Sequence, residues 1–95
     1  MKLYDFLNKP DAPNPVEVAA ALGLHSDAAV RGWARDATRK PAPELVPAIE
    51  AYTQGKVRRW DMYEELWWKL WPELIGTKGA PELPPNARVL VFKPE

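Results

Sequence analysis

The chain has 95 residues, 46% of them apolar, with 13 basic and 13 acidic side chains and no cysteine. That length and apolar content suit one domain with a single core, and disulfides and thiolate metal sites are excluded. No apolar run approaches a membrane span and the first residues lack a secretory hydrophobic stretch, so the expected compartment is the cytoplasm. The formal net charge of zero hides an uneven distribution. Residues 31–60 hold seven basic groups against three acidic, a surplus of +4, while residues 1–30 and 61–95 each sum to −2.

Leu3, Phe6 and Leu7 recur at helical spacing, and Pro10 ends that run. The resulting short helix is expected to cover the back of a helix pair further along the chain. Pro13 and Pro15 stiffen the connection.

The stretch 14–33, NPVEVAAALGLHSDAAVRGW, reads as two helices joined by a tight turn. Asn14 can cap the first helix, Pro15 suits its first position, and Glu17 stands where a capping box needs it. Val18, Ala19 and Leu22 share one face, and the small Ala19 lets a second helix cross closely. Gly23 supplies the left-handed residue that ends the helix. Ser26 is the expected cap of the second helix, which points Val30 and Trp33 inward and Arg31 and Arg35 outward.

Residues 36–43 are rich in turn formers, and Arg39 and Lys40 lie among them. The next helix begins no earlier than about Glu44, because Pro47 is tolerated only in a first turn. Leu45, Ile49 and Tyr52 form its inward stripe and Gly55 its stop. Trp60, Tyr63, Trp67 and Trp71 then recur at three- and four-residue intervals, which predicts one helix with an aromatic face, ended by Pro72. Trp60 and Tyr63 are assigned to the core. Trp68 and Trp71 exceed what one small core needs and are assigned to a partner surface. Asp61, Glu64, Glu65 and Glu73 would repel phosphates, which argues against base stacking on this stripe. Residues 77–86 read as a Pro/Gly-rich linker, and Arg88 to Lys93 as a β-strand with Val89 and Val91 on one side and Leu90 and Phe92 on the other. One strand cannot satisfy its own backbone. Pairing with the same strand of a second copy is the expected solution.

The helix pair of 14–33 resembles that of phage Cro-like repressors. Ala48-Ile49-Glu50, then Thr53, Gly55, Val57, Arg59 and Trp67, is similar to the small YdaS-type regulators within that group. The likeness covers roughly residues 14–71. It implies a compact helical domain that binds operator DNA, often as a dimer. Two departures are visible: Tyr63, Glu64 and Glu65 replace an Arg-Pro-Asp element, allowing a continuous helix there, and six residues rather than five separate Gly23 from Val30. Either Ala29 turns inward or the turn carries an insertion; the insertion places both Val30 and Trp33 in the core.

The expected architecture is therefore mainly α, with about five helices over residues 1–76, a linker at 77–86 and a terminal strand at 87–95. The expected function is sequence-specific binding of double-stranded DNA by a homodimeric transcriptional regulator, a repressor of bacterial or prophage type. Ser26, Asp27, Ala28 and Arg31 are the candidate base-reading positions, with Arg35, Arg39 and Lys40 on phosphates. Asp27 has two readings, a favourable charge at a helix start or an acceptor for cytosine. His25 reads as a surface residue or a phosphate donor, and a single histidine offers no metal site. Trp68, Trp71, Val89, Leu90, Val91 and Phe92 are the expected dimer contacts. The alternative is a protein-interaction module, such as an antitoxin or adaptor, using the tryptophan-rich end. No nucleophile–base pair, phosphate loop or metal cluster points to an enzyme, and no cofactor is expected.

Overall fold

Apolar spacing in the first 35 residues produces three helices that cross over a shared core. The computed structural model describes residues 1–85. The domain is mainly helical, with six α-helices and two 3-10 turns, and there is no strand among the described residues. Helix α1 (Leu3–Asn8) buries Leu3 and Phe6. Helix α2 (Pro15–Ala21) buries Val18 and Ala19, and α3 (Ala28–Arg35) buries Val30 and Trp33. Val46, Ile49, Val57 and Met62 complete the same core. Asn8 ties α1 to α3 by donating from Nδ2 to the carbonyls of Tyr4 and Ala34, both at 2.8 Å.

The start of α2 departs in one detail from the sequence reading. Asn14 Oδ1 accepts the Val16 N–H at 2.8 Å, one residue short of the position a capping box uses. Glu17 therefore does not close the expected box and only complements the dipole of the first turn. The end of α2 follows expectation. Gly23 adopts φ +73°. The Leu24 N–H reaches the Ala19 carbonyl at 2.9 Å and the Gly23 N–H reaches Ala20 at 3.2 Å, the paired bonds of a Schellman ending.

The residue before α3 is Asp27, not Ser26. Ser26 Oγ faces the Ala28 N–H at a long 3.4 Å, while the Asp27 carboxylate turns to Arg31 instead of capping. Ala29 is exposed and Val30 fully buried, so the longer turn carries the extra residue and keeps the inward positions three apart.

A 3-10 turn (Pro43–Leu45) leads into α4 (Val46–Tyr52), with Pro47 in the first turn, where no hydrogen bond is lost. The stop of α4 lies one residue earlier than Gly55. Gln54 takes the left-handed position at φ +56°, and the Gly55 N–H returns to the Glu50 carbonyl at 2.9 Å. Buried Thr53 fixes the next turn: its hydroxyl accepts the Val57 N–H at 3.1 Å and donates to the Glu50 carbonyl at 3.1 Å.

The continuous aromatic helix is not formed. The chain makes α5 (Arg59–Met62), breaks over residues 63–66, and resumes as α6 (Trp67–Leu70) before a 3-10 turn (Pro72–Leu74). Tyr63 leaves helical geometry at φ −130°, ψ 70°, and its hydroxyl donates to the Pro41 carbonyl at 2.6 Å. The rings still meet, edge to face: Trp60 on Trp67 at 5.8 Å, Tyr63 on Trp71 at 6.0 Å and Trp67 on Trp68 at 6.0 Å. This folding-back overturns the surface role assigned to Trp68, which is only 6% exposed. Trp71 is half-buried beneath the Arg59 guanidinium, 5.7 Å from its ring centre, so it too is mostly consumed within the chain. Leu66 and Leu70 are the large apolar side chains that this region leaves in solvent. The strand containing Val89, Leu90, Val91 and Phe92, and with it the dimer contact expected there, lies outside the described residues. No helix among the described residues is long and apolar enough to cross a membrane.

Candidate nucleic-acid interface

Packing decides which side of α3 faces water. With Val30 and Trp33 turned into the core, Ala28, Ala29, Arg31 and Arg35 are left exposed. Arg31 and Arg35 are four residues apart and stand one above the other. Ala28 and Gly32 run beside them at the same interval. Gly32 has no side chain of its own, yet it is buried, because the Arg39 side chain lies across it. A Cβ built on Gly32 would stand 2.5 Å from Arg39 Nη1. The glycine thus makes room for a cation from outside the helix, and three arginines share one surface.

The loop that delivers Arg39 and Lys40 is pinned at both ends. At its start the Asp36 carboxylate accepts the Thr38 hydroxyl at 2.6 Å and the Thr38 N–H at 2.9 Å. The Thr38 hydroxyl, then its N–H, hold the Asp36 carboxyl below the usual carboxylate range, with the Arg39 charge adding to them. At the far end Tyr63 holds the Pro41 carbonyl, and Lys40 Nζ lies 5.3 Å from the centre of the same ring. Burial, reinforced by the Glu44 charge, pushes the Tyr63 phenol up, so it keeps its proton and stays a donor. A groove of about 280 Å³ opens beside Arg39 and Lys40, and Asp61, Glu64 and Glu65 also line it.

Charge on α3 and its flanking residues 27–40 is positive and the carboxylates of that segment are engaged, while Asp61, Glu64 and Glu65 stand across the groove from Arg39 and Lys40. Arg31, Arg35, Arg39 and Lys40 stand with Asp27 and Asp36, a balance of +2. Asp36 is occupied by Thr38, and Asp27 pairs with Arg31 Nε across one helical turn. Arg35, Arg39 and Lys40 have no ion pair among the described residues. The other cations of the basic segment are used differently. Arg59 lies 3.6 Å from Glu50 and 3.5 Å from Glu73, and Arg58 lies 3.9 Å from Glu50. At 3.6 Å the buried Arg59 Nε makes an ion pair without a hydrogen bond. Of the positive surplus in residues 31–60, the part before Pro41 faces solvent and the part at 58–59 is neutralised within the fold.

The structure brings Ala28, Arg31, Arg35 and Arg39 together on one surface, with Lys40 next in the chain. Ser26 is exposed and Asp27 half-buried just ahead of α3, and His25 is exposed in the turn. Two parts of this arrangement escaped the sequence reading although each leaves a trace in it. Asp27 and Arg31 are spaced four apart with the acid first, the favourable order for a helical ion pair. Gly32 is an isolated glycine inside a helix, a position that costs stability and usually has a packing reason. The Tyr63–Pro41 bond joins residues 22 apart and has no local signal. No family model, curated protein or solved structure matches the chain.

Proposed function

We propose that the protein binds double-stranded DNA in a sequence-dependent way, with α3 in the major groove, and acts as a transcriptional regulator of the Cro-like, YdaS-type kind. The observation that carries this reading is the solvent face of α3. It presents Arg31 and Arg35 beside the small Ala28, with Arg39 docked across the buried Gly32, while α2 and α1 brace it from behind. The exposed Ala28 is small enough to meet a base edge, and guanidinium groups supply both bidentate base contacts and phosphate contacts. Occupation of a promoter would repress transcription. Two copies on adjacent half-sites would complete the operator complex.

Within this reading Arg31 is the base reader. Its ion pair with Asp27 is exposed and worth about 0.3–0.5 kcal/mol, whereas a bidentate contact to guanine contributes about 1–3 kcal/mol. Release of the pair on binding is therefore favourable. Arg35, Arg39 and Lys40 neutralise phosphates. The test is selection of bound duplexes from a random pool, followed by affinities on the selected site and on scrambled DNA. Arg31→Ala should cost about 1–3 kcal/mol on the selected site and little on scrambled DNA, and Lys40→Ala should weaken both alike. Equal losses for Arg31→Ala on both duplexes would remove its base-reading role. A pool that yields no enriched sequence would remove the proposal itself.

A further inference from the structure

A helix interior disfavours glycine, which loses more backbone freedom on folding than alanine does. Gly32 nevertheless stands inside α3. Its backbone is not left-handed, unlike that of Gly23 and Gly55, so no turn demands it. What a side chain at this position would meet first is Arg39. The three heavy atoms nearest to a Cβ built on Gly32 are Arg39 Nη1 at 2.5 Å, Cζ at 3.3 Å and Cδ at 3.6 Å. A methyl group cannot occupy that place while Arg39 stays where it is.

Arg39 reaches this seat from outside the helix. The chain leaves α3 at Asp36, whose φ of −131° and ψ of 109° are extended. The Asp36 N–H still donates to the Gly32 carbonyl at 3.0 Å, and the Arg39 N–H donates back to the Asp36 carbonyl at 3.1 Å. With the Thr38 N–H and hydroxyl both on the Asp36 carboxylate, residues 36–39 form a closed turn. That turn sends the Arg39 side chain back over α3, where it covers the bare backbone of Gly32 while Arg39 as a whole stays exposed. Its guanidinium is held against the helix without being paired to a carboxylate among the described residues.

We propose that Gly32 is a positioning residue for DNA binding: it touches no phosphate itself, and acts by seating Arg39 so that a cation from the loop is fixed on the α3 surface before a duplex arrives. The proposal rests on the DNA-binding reading and names one of its contacts, a backbone phosphate beside the groove that α3 enters. An arginine that must be ordered on binding gives up rotamer freedom that a seated one has already lost. The same seat accounts for glycine at a position where alanine would make a better helix. Because alanine would displace only the far end of a flexible side chain, Gly32→Ala leaves the core in place.

The experiment is a double-mutant cycle of full-length proteins: the unsubstituted chain, Gly32→Ala, Arg39→Ala and both together. Without DNA, the unsubstituted protein should show a nuclear Overhauser contact between Gly32 Hα and Arg39 Hδ, and Gly32→Ala should unfold at higher urea concentration in both backgrounds. Affinities are then measured across a salt series on the duplex selected from the random pool and on scrambled DNA. Gly32→Ala should weaken both duplexes alike by about two- to tenfold. Arg39→Ala should weaken both and make the salt slope shallower by about 0.9 per bound copy. Adding Gly32→Ala to Arg39→Ala should change neither affinity, because no side chain remains to be displaced. Unaltered affinity for Gly32→Ala, a missing Overhauser contact, an equal loss in the Arg39→Ala background, or unfolding of Gly32→Ala at lower urea in both backgrounds would each overturn the proposal while leaving DNA binding by α3 standing. Failure of the unsubstituted protein to bind any duplex would overturn both.

Discussion

The α2–α3 pair and the segment from Arg59 to Leu74 carry similar apolar periodicity but use it differently. In the first, Val18, Ala19, Val30 and Trp33 repeat at helical spacing and α2 is bounded by local devices, Asn14 and Pro15 at its start and Gly23 at its end. In the second, aromatic rings also repeat at helical spacing, yet the helix is broken between Met62 and Trp67. Periodicity says which side chains want one environment. Whether one straight helix provides it depends on contacts that are not local. Here the Tyr63 hydroxyl is drawn to Pro41, 22 residues away, and the break lets the three tryptophans pack edge to face rather than in a row.

The largest expected effect tests whether the two regions form one cooperative unit. Trp33→Ala removes a buried ring that joins α3 to the core, and should cost about 3–5 kcal/mol in denaturant unfolding. Because Met62 belongs to that same core, emission from the remaining tryptophans should report the same shifted midpoint as helical circular dichroism. Two separate transitions would show that the tryptophan-rich segment folds independently of the helix pair.

Tyr63→Phe sharpens the comparison at the bond that breaks the aromatic helix. Loss of the hydroxyl leaves the carbonyl of buried Pro41 without its donor and should cost about 1–3 kcal/mol. Hydrogen exchange should accelerate at Thr38 to Lys40 and at residues 63–66, while α2 keeps its protection. Uniform acceleration throughout would contradict the local role given to Tyr63.

The smallest expected effect lies at the end of α4, where Gln54 holds a left-handed conformation that glycine adopts more readily. Gln54→Gly should stabilise the domain by up to about 1 kcal/mol, read as a higher denaturant midpoint with unchanged slope. Destabilisation would mean that the Gln54 side chain contributes more than its backbone costs.

Legibility in the sequence follows the range of the forces involved. The α1 face, the boundary at Gly23, the placement of Pro47 and the inward positions Val30 and Trp33 are governed by neighbours a few residues away, and each is readable. The exposed cluster of Arg31, Arg35 and Arg39 is readable as a set of residues, but its form is not. The docking of Arg39 over Gly32 depends on how the 36–43 loop turns back. The surface role given to Trp68 fails for a related reason: counting tryptophans against the size of one core ignores that they can bury one another.

The proposed function rests on the exposed cations of α3 and its neighbouring loop meeting DNA phosphates, and salt dependence of duplex binding measures that contact directly. With Arg35, Arg39 and Lys40 on phosphates, log affinity against log salt should fall with a slope of about −3 for one copy and about −5 for two copies on two half-sites. Replacing all three by alanine should flatten it while leaving the fold intact. A slope near zero for the unsubstituted protein, or no duplex binding at low salt, would contradict the assignment of α3 to DNA.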